Sequence, residues 1–336
     1  MAFLRINGHT VPVEVDSASM QLVEVGNSSK SYDGTTINLR RRLKRKLSFK
    51  TPPLSEADAI ALQGLVRGQG EYWSFDAAST GEYLYSSRGV GPTTSTGNAQ
   101  ESSNVKYGGK GLDPGTHLVY PASVMGSSND VTINFWASDE DTNPGSDEYL
   151  FQASGNSHSI LISRSGSGNT VSFVTDDNSG GTNSLGRANA FDEHDEFKMF
   201  TCVIRLNPES DQNAKEFYYN GARVSSTPSA STAKIPTFSN FTSVSVGNNG
   251  GGSNQFTGFI DDLYIAPYAA TSDMISGWYN MGKGMSPLPK VYVDGDIIPD
   301  DALSSLFVGR VDSSQYLMSA GGKNNKRKLD ITLEEV

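Results

Sequence analysis

The chain has one cysteine, Cys202, so no disulfide can form within it. No apolar run approaches the roughly 18–20 residues of a membrane-spanning helix. Basic residues are outnumbered, 27 to 37, for a net charge of −10, which argues against an evenly basic nucleic-acid binder. Of the four histidines, His9, His117, His158 and His194, none lies in a motif with a nucleophile. There is no nucleophile elbow, phosphate-binding loop, His-Glu-x-x-His or dinucleotide fingerprint. The opening residues, Met-Ala-Phe-Leu-Arg-Ile-Asn-Gly, lack the apolar stretch of a secretory signal. The expectation is a soluble, non-enzymatic protein made in a reducing cytoplasm.

What is present points to strands and turns. The 336 residues are enough for two domains, and 35 of them are glycine. With 36% hydrophobic and 10% aromatic residues the chain can still build packed cores. The mixture predicts an all-β protein. Charge is uneven along it. Residues 1–82 carry 10 basic and 9 acidic side chains, residues 83–285 carry 11 and 20, and residues 286–336 carry 6 and 8. An acidic middle between similar ends is the pattern of an insertion.

The ends share a texture. Phe3–Ile6, Asn7-Gly8 and Val11–Val15 read as a hairpin, because Asn-Gly is a strong tight-turn signal. Met20–Val25 is a strand and Tyr32-Asp33-Gly34 a turn. Leu39–Lys50 alternates as a strand, with Arg40, Arg42, Lys44, Lys46 and Lys50 on one face and Leu39, Leu43, Leu47 and Phe49 on the other. Pro52-Pro53 ends it. Ser55 caps one short helix whose apolar stripe is Ala57, Ile60, Ala61 and Leu65, and Glu71–Phe75 returns as a strand. From about residue 83 the chain becomes short strands between Gly/Ser/Thr turns, the pattern of a sandwich or jelly roll. After Pro287 the first texture resumes, with a hairpin over Val291–Ile298, a strand at Ser305–Val308, and an alternating Leu329, Ile331, Leu333 behind Lys326-Arg327-Lys328.

Four landmarks in the middle resemble the laminin-G-like, concanavalin A-like jelly rolls. They are Val131–Trp136, Phe217–Gly221, Val244–Asn248, and Phe256-Thr257-Gly258 followed by Ile260-Asp261-Asp262 and the turn from Ala270 to Tyr279. The flanks resemble the tail-tube-like β-sandwich of phage tails and distal-tail rings. That resemblance lies in the hairpin, the basic strand, Thr51–Ala57 leading into one helix, Tyr72–Phe75, and the closing Lys328–Glu335 strand. The expected architecture is therefore all-β, in two domains. Residues 1–82 plus 286–336 form a discontinuous tail-tube-like β-sandwich with one short helix. Residues 83–285 form an inserted jelly roll. The resemblance implies a phage virion structural protein that assembles with itself and other virion proteins and displays a domain for a host-surface glycan or a protein partner. A capsid decoration protein, a free carbohydrate-binding protein and a glycosidase are its rivals.

The candidate sites follow. Asp139, Asp141, Asn143 and Asp147 alternate as in calcium loops, although Pro144 and Leu150 rule out an EF-hand, and Asp261 with Asp262 is a second calcium candidate. The cationic strand, Arg40, Arg42, Lys44, Lys46 and Lys50, together with Lys326 and Lys328, reads as a sheet edge or a charged subunit interface, and less well as a nucleic-acid site, since no aromatics interleave. Some glycosidases with this jelly roll carry paired carboxylates on one strand. Here Glu193 and Asp195 alternate, but Phe197 takes the next same-face position. Cys202, inside a strand, reads as a packing residue. The loops 178–183 and 248–254 offer Asn side chains for sugar hydroxyls without an aromatic platform.

Overall fold

A computed structural model describes the chain apart from residues 1, 7–8, 15, 31–35, 55, 68–69, 77–80, 102–104, 107–109, 116, 129, 142–143, 192–195, 210–211, 282–289, 294–306, 319–326 and 336, and describes a smaller set of side chains. The turns expected at Asn7-Gly8 and Tyr32–Gly34, the Ser55 cap and most of the 294–298 hairpin fall outside the described residues. In chain order the elements are β1 (Ala2–Ile6), β2 (His9–Val13), β3 (Ser19–Lys30), β4 (Thr36–Lys50), α1 (Glu56–Arg67), β5 (Glu71–Trp73), β6 (Thr94–Thr96), β7 (Ala99–Glu101), β8 (Gly111–Asp113), β9 (His117–Pro121) and β10 (Asp130–Asp139). They continue with β11 (Glu148–Gly155), β12 (His158–Arg164), β13 (Val171–Asp176), β14 (Asn183–Arg187), β15 (Lys198–Arg205), β16 (Lys215–Tyr219), β17 (Ala222–Thr227) and α2 (Ala230–Ala233). The last are β18 (Ser243–Val246), β19 (Gly258–Ala266), α3 (Ser272–Met281), β20 (Lys290–Val293), β21 (Phe307–Met318) and β22 (Arg327–Glu335).

The chain divides into two compact units, Met1–Gly68 with Leu288–Val336, and Gln69–Pro287. The division falls earlier than the expected residue 82. Glu71–Trp73 belongs to the second unit because β5 adds to β19, pairing Tyr72 with Tyr264 and Trp73 with Leu263.

The first unit is a seven-stranded antiparallel ladder, in the order β2-β1-β20-β21-β22-β4-β3. Ile6 faces His9, which leaves two residues for the first hairpin turn. Among the described residues this is one continuous ladder, where two packed sheets were expected. The twelve residues of β21 bridge it: its start pairs with β20, and the rest, past a bulge at Val311/Ser313, with β22. The core of this unit is Leu4, Ile6, Val11, Val13, Leu47, Phe49, Leu329, Ile331 and Leu333, joined by Ala59, Ala61 and Leu62 of α1. Of the expected helix stripe only Ala61 is among the described side chains. Ala59 and Leu62 lie beside it, one position off the sequence reading.

The second unit is two facing sheets. One has eight strands, in the order β17-β16-β15-β10-β19-β8-β7 with β5 added on β19, and the other seven, in the order β14-β13-β12-β11-β18-β9-β6. Between them lies a core of Phe135, Phe151, Phe173, Phe191, Phe200, Phe217 and Phe256. Its rings meet in tilted pairs, such as Phe191 with Phe200 at 5.5 Å. Asn220-Gly221 makes the expected hairpin turn. Both residues have φ above zero (49° and 77°), as a type I′ turn requires, and a Cβ on Gly221 would lie 2.8 Å from Cβ of Tyr279.

A buried lysine ties the two sheets together. Lys215 on β16 reaches across the core, and its Nζ donates to the carbonyls of Phe173 (2.7 Å) and Asn183 (2.9 Å) and to Oγ1 of Thr175 (3.1 Å). Burial draws its pKa down to about 7. The unfolded chain holds that proton up to about 10.4. Between those values the unfolded state binds more protons, so stability rises with pH. Above about pH 10 the trend reverses, because burial raises Tyr120 and Tyr268 and the folded state then keeps protons that the unfolded state loses. All three tryptophans, Trp73, Trp136 and Trp278, lie in this unit, so their fluorescence reports its unfolding alone. The melting temperature followed by tryptophan is expected to rise from pH 7 to about pH 9. In Lys215→Met that rise disappears, and a rise of unchanged size in the variant would contradict the assignment.

Candidate functional site

The two sheets of the second unit differ in what covers them. In the eight-stranded sheet β10, β15 and β19 are buried on both faces. Their outward residues are covered by α3 and the turn before it. Trp278 meets Tyr264 edge-on at 6.1 Å, Tyr279 stacks on Trp136 at 5.9 Å, and the Thr132 hydroxyl donates to the Tyr268 carbonyl at 2.7 Å. The seven-stranded sheet alternates instead. β12 and β13 bury Ile160, Ile162, Val171 and Phe173 and leave the residues between them half-exposed. An alternating sheet has one face on the core and one toward water.

The register defines that open face as three rows. The first runs Gly186, Ser172, Ser163, Tyr149. The second runs Ser184, Val174, Leu161, Gln152, Ser245, Val119, Thr94, of which Ser245 is buried. The third runs Asp176, Ser159, Ser154, Ser243. A bulge at Leu150 turns both Leu150 and Phe151 inward and keeps Tyr149 and Gln152 on the open side. Asp176 is the one charged residue in these rows. Beside Tyr149 lies the Gly/Asn-rich loop after β18, whose Asn254 carbonyl accepts the Tyr149 N–H at 2.8 Å. Asn249 holds that loop by accepting from Gly251 and Ser253. The face is thus hydroxyl- and amide-rich, nearly uncharged, and carries one half-exposed tyrosine. Its chemistry suits a neutral polyhydroxylated ligand, whose hydroxyls exchange hydrogen bonds with amides and hydroxyls while a ring packs on an aromatic.

The first calcium candidate serves another cation. Asp139 is buried, and its Oδ2 lies 3.0 Å from Nη2 of the fully buried Arg164. Glu148 meets Nη1 of the same guanidinium at 3.2 Å and accepts the Thr257 N–H at 3.0 Å. Burial raises the Glu148 pKa, with Thr257 and Arg164 opposing. Arg164 also donates to the Asp141 carbonyl and to Asn169, and sits over the Phe191 ring. Asp147 faces water and accepts the Gly166 N–H at 3.0 Å. Asn143 lies outside the described residues. Arg164 thus neutralises Asp139, one of the four candidate ligands, together with Glu148. No sequence signal pointed to Arg164, whose partners lie on other strands.

Asp261 and Asp262 have structural roles. Asp262 has φ of 49° and marks a bulge opposite Phe135 on β10. At this bulge the outer neighbour of β19 changes from β8 at Ile260 to β5 at Leu263. Asp261 accepts the N–H groups of Lys106 (3.0 Å) and Asp262 (2.9 Å), and Asp262 accepts the Tyr72 hydroxyl at 2.5 Å. Among the described residues no three His, Cys, Asp or Glu side chains gather in a way that would hold a metal ion.

The remaining candidates are placed as follows. Glu193 and Asp195 lie outside the described residues, and Glu196 pairs with Lys198. Cys202 is fully buried in β15, and burial pushes its thiol well above the ordinary range. β22 flanks β4 from Lys46 to Lys50, and from Arg45 back to Thr36 β4 pairs with β3 alone among the described residues. Lys50 lies 3.8 Å from Asp330, Lys46 is opposite Glu334, and Lys328 pairs with Glu14. Lys44 is half-buried. Arg40 and Arg42 are described only as backbone in β4, and Lys326 lies outside the described residues.

Residues 112–276 match the family model of the concanavalin A-like lectin/glucanase superfamily. Its two facing antiparallel sheets are consistent with a concanavalin A-like jelly roll. No curated protein matches the sequence. Among solved structures, the chain is similar to domain 4 of AbnA, an extracellular arabinanase of Geobacillus stearothermophilus, in complex with arabinotriose. The identity is 19% over 62% of this chain and 97% of that one, with a TM-score of 0.46. It is also similar to the binding domain of botulinum neurotoxin serotype G, at 13% identity over 78% and 72%, TM-score 0.47. A third is a sialidase CBM40 of Ruminococcus gnavus bound to α2,3-sialyllactose, at 14% identity over 49% and 86%, TM-score 0.38.

Removing the guanidinium from the jelly roll strands two buried carboxylates. Arg164→Met is expected to cost about 3–5 kcal/mol in urea unfolding followed by tryptophan fluorescence. Asp147→Ala, at the exposed end of the same loop, is expected to change it by under about 0.5 kcal/mol. Millimolar calcium should leave the wild-type midpoint in place, and an upward shift would return a metal ion to this loop.

Proposed function

We propose that this chain is a structural protein of a bacteriophage tail or distal tail. In this reading the discontinuous unit assembles with copies of itself and with other virion proteins, and the jelly roll displays a face that binds a neutral glycan on the host surface. The protein is made in the host cytoplasm and carried on the virion. It binds and does no chemistry. The observation that carries the glycan reading is the open face of the seven-stranded sheet, with Tyr149, Gln152, Ser163 and Ser172 in adjoining rows beside the Asn249 loop. Further support is the fit of an uncharged hydroxyl and amide surface to sugar hydroxyls. The buried carboxylates of the jelly roll are engaged by Arg164, by Tyr72 and by backbone N–H groups, which favours binding over acid–base catalysis. The virion reading is supported by the resemblance of the flanking segments to tail-tube-like proteins, and by a first unit woven from both ends of the chain around the inserted domain.

The test is a glycan array probed with the full chain. Binding to neutral oligosaccharides is expected, with Tyr149→Ala and Gln152→Ala each weakening it at least tenfold, about 1.4 kcal/mol. Both variants should keep the wild-type melting temperature. Binding that survives both substitutions would move the site off this face, and silence across the array would remove the glycan reading.

A further inference from the structure

The outward face of the seven-stranded sheet is not equally open along its width. In its middle row Ser184 on β14 and Thr94 on β6 are exposed, and Val174, Leu161 and Gln152 are half-exposed. Ser245, which lies between Gln152 and Val119, is only 3% exposed. A side chain that points away from the core and is still buried has something lying on it. That cover is the loop after β18. A Cβ on Gly250 would lie 2.5 Å from Oγ of Ser245 and 3.6 Å from Cγ2 of Val119, so the loop folds back over β18 and β9 on the outward side. Glycine is required at this position, for room and for its φ of 73°.

The loop is pinned along its length. Asn248 is fully buried, and its Nδ2 donates to the carbonyls of Gly115 (3.2 Å) and Val246 (3.0 Å). Its Oδ1 accepts the Gly250 N–H at 2.7 Å. Nδ2 of Asn249 donates to Oδ1 of Asn254 at 3.2 Å, and Nδ2 of Asn254 donates to the Asp147 carbonyl at 2.8 Å. The Phe256 N–H donates to the Gly247 carbonyl at 2.8 Å and closes the loop at its base. The loop is therefore a fixed step across the sheet. Gln152 is the last floor residue of the middle row before that step, and Tyr149 stands beside it in the first row. The floor on this side is β11 to β14, whose four strands span roughly 14 Å at about 4.8 Å per strand.

We propose that the loop 248–254 is a wall that ends the binding face, so that the face takes the terminus of a neutral oligosaccharide chain and rejects an internal stretch of a polysaccharide. A chain lying across β14 to β11 along the middle row meets Gly250 where it would have to continue over Ser245 and Val119. This inference rests on the glycan reading of the open face and adds which part of a glycan that face accepts. Discrimination comes from the clash that a continuing chain would make, and the floor contacts to the terminal sugars are the same in both cases.

The full chain is titrated calorimetrically with neutral gluco-, manno-, galacto-, xylo- and arabino-oligosaccharides of increasing length and with the parent polysaccharides. Affinity is expected to rise with length until the chain fills the roughly 14 Å beside the step, and to stay level beyond it. Per unit mass, a polysaccharide should bind at least tenfold more weakly than its short fragments, because it offers fewer ends. Deleting residues 250–252 removes the step, and Asn249 N already lies 3.1 Å from the Ser253 carbonyl oxygen, so the ends to be joined are adjacent. The shortened variant should bind the polysaccharide at least tenfold more tightly than the wild type, with Tyr149→Ala still weakening it. If the shortened loop does not fold, the wild-type length series decides alone. Affinity that keeps climbing with length, equal binding of polysaccharide and fragments per unit mass, or a folded deletion variant that keeps the preference for ends would each overturn the wall and leave the glycan reading standing. No binding of any of these sugars would overturn both.

Discussion

The antiparallel pairing of β10 with β19 is the contact on which the jelly roll depends. It joins residues 130–139 to 258–266 and lies at the centre of the eight-stranded sheet. The bulge at Asp262 lets β19 take β8 along one half and β5 along the other, so segments from far apart in the sequence close on one strand. With α3 laid over the outward residues, both faces of its central strands β10, β15 and β19 are dry. The seven-stranded sheet is left as the side that meets water, and its hydroxyl-lined rows follow from that asymmetry.

Charge is handled differently in the two units. The jelly roll carries its excess of acid with its buried carboxylates satisfied locally, by Arg164 in one place and by backbone N–H groups and Tyr72 in another. A buried ion pair of this kind adds little net stability over a well-packed apolar group, yet losing one partner is costly. It therefore fixes where β10, β11 and β12 sit relative to one another. The first unit concentrates cations on β4, which β22 flanks only from Lys46 to Lys50.

Much of this was legible from residue patterns. Period-two alternation located β10 to β13, β15, β16 and β18, and Asn220-Gly221 gave the hairpin turn at its position. The discontinuous arrangement followed from texture and charge. Glu71–Trp73 was assigned to the wrong unit because a short strand carries no mark of its partner, and pairing with β19 decides it. That β22 flanks the basic strand from Lys46 to Lys50 was hidden for the same reason: alternation shows a strand's two faces but not what lies on either side. Asp139 resembled a metal ligand because oxygens at alternate positions are all a sequence can show. The guanidinium that neutralises it arrives from a strand 25 residues on. The open face was missed because serines at 159, 163 and 172 look like turn composition until the register sets them side by side.

The central claim is that the exposed face of the seven-stranded sheet is the binding surface. It is tested most directly by methyl-labelled nuclear magnetic resonance of the full chain during titration with neutral oligosaccharides. The methyls of Leu161 and Val174 lie in the middle row of that face, whereas those of Leu263 and Ile265 lie in the core. The account predicts saturable shifts at Leu161 and Val174 with Leu263 and Ile265 unmoved. Saturable shifts confined to residues around α3, or none at Leu161 and Val174 with a sugar that binds, would contradict it.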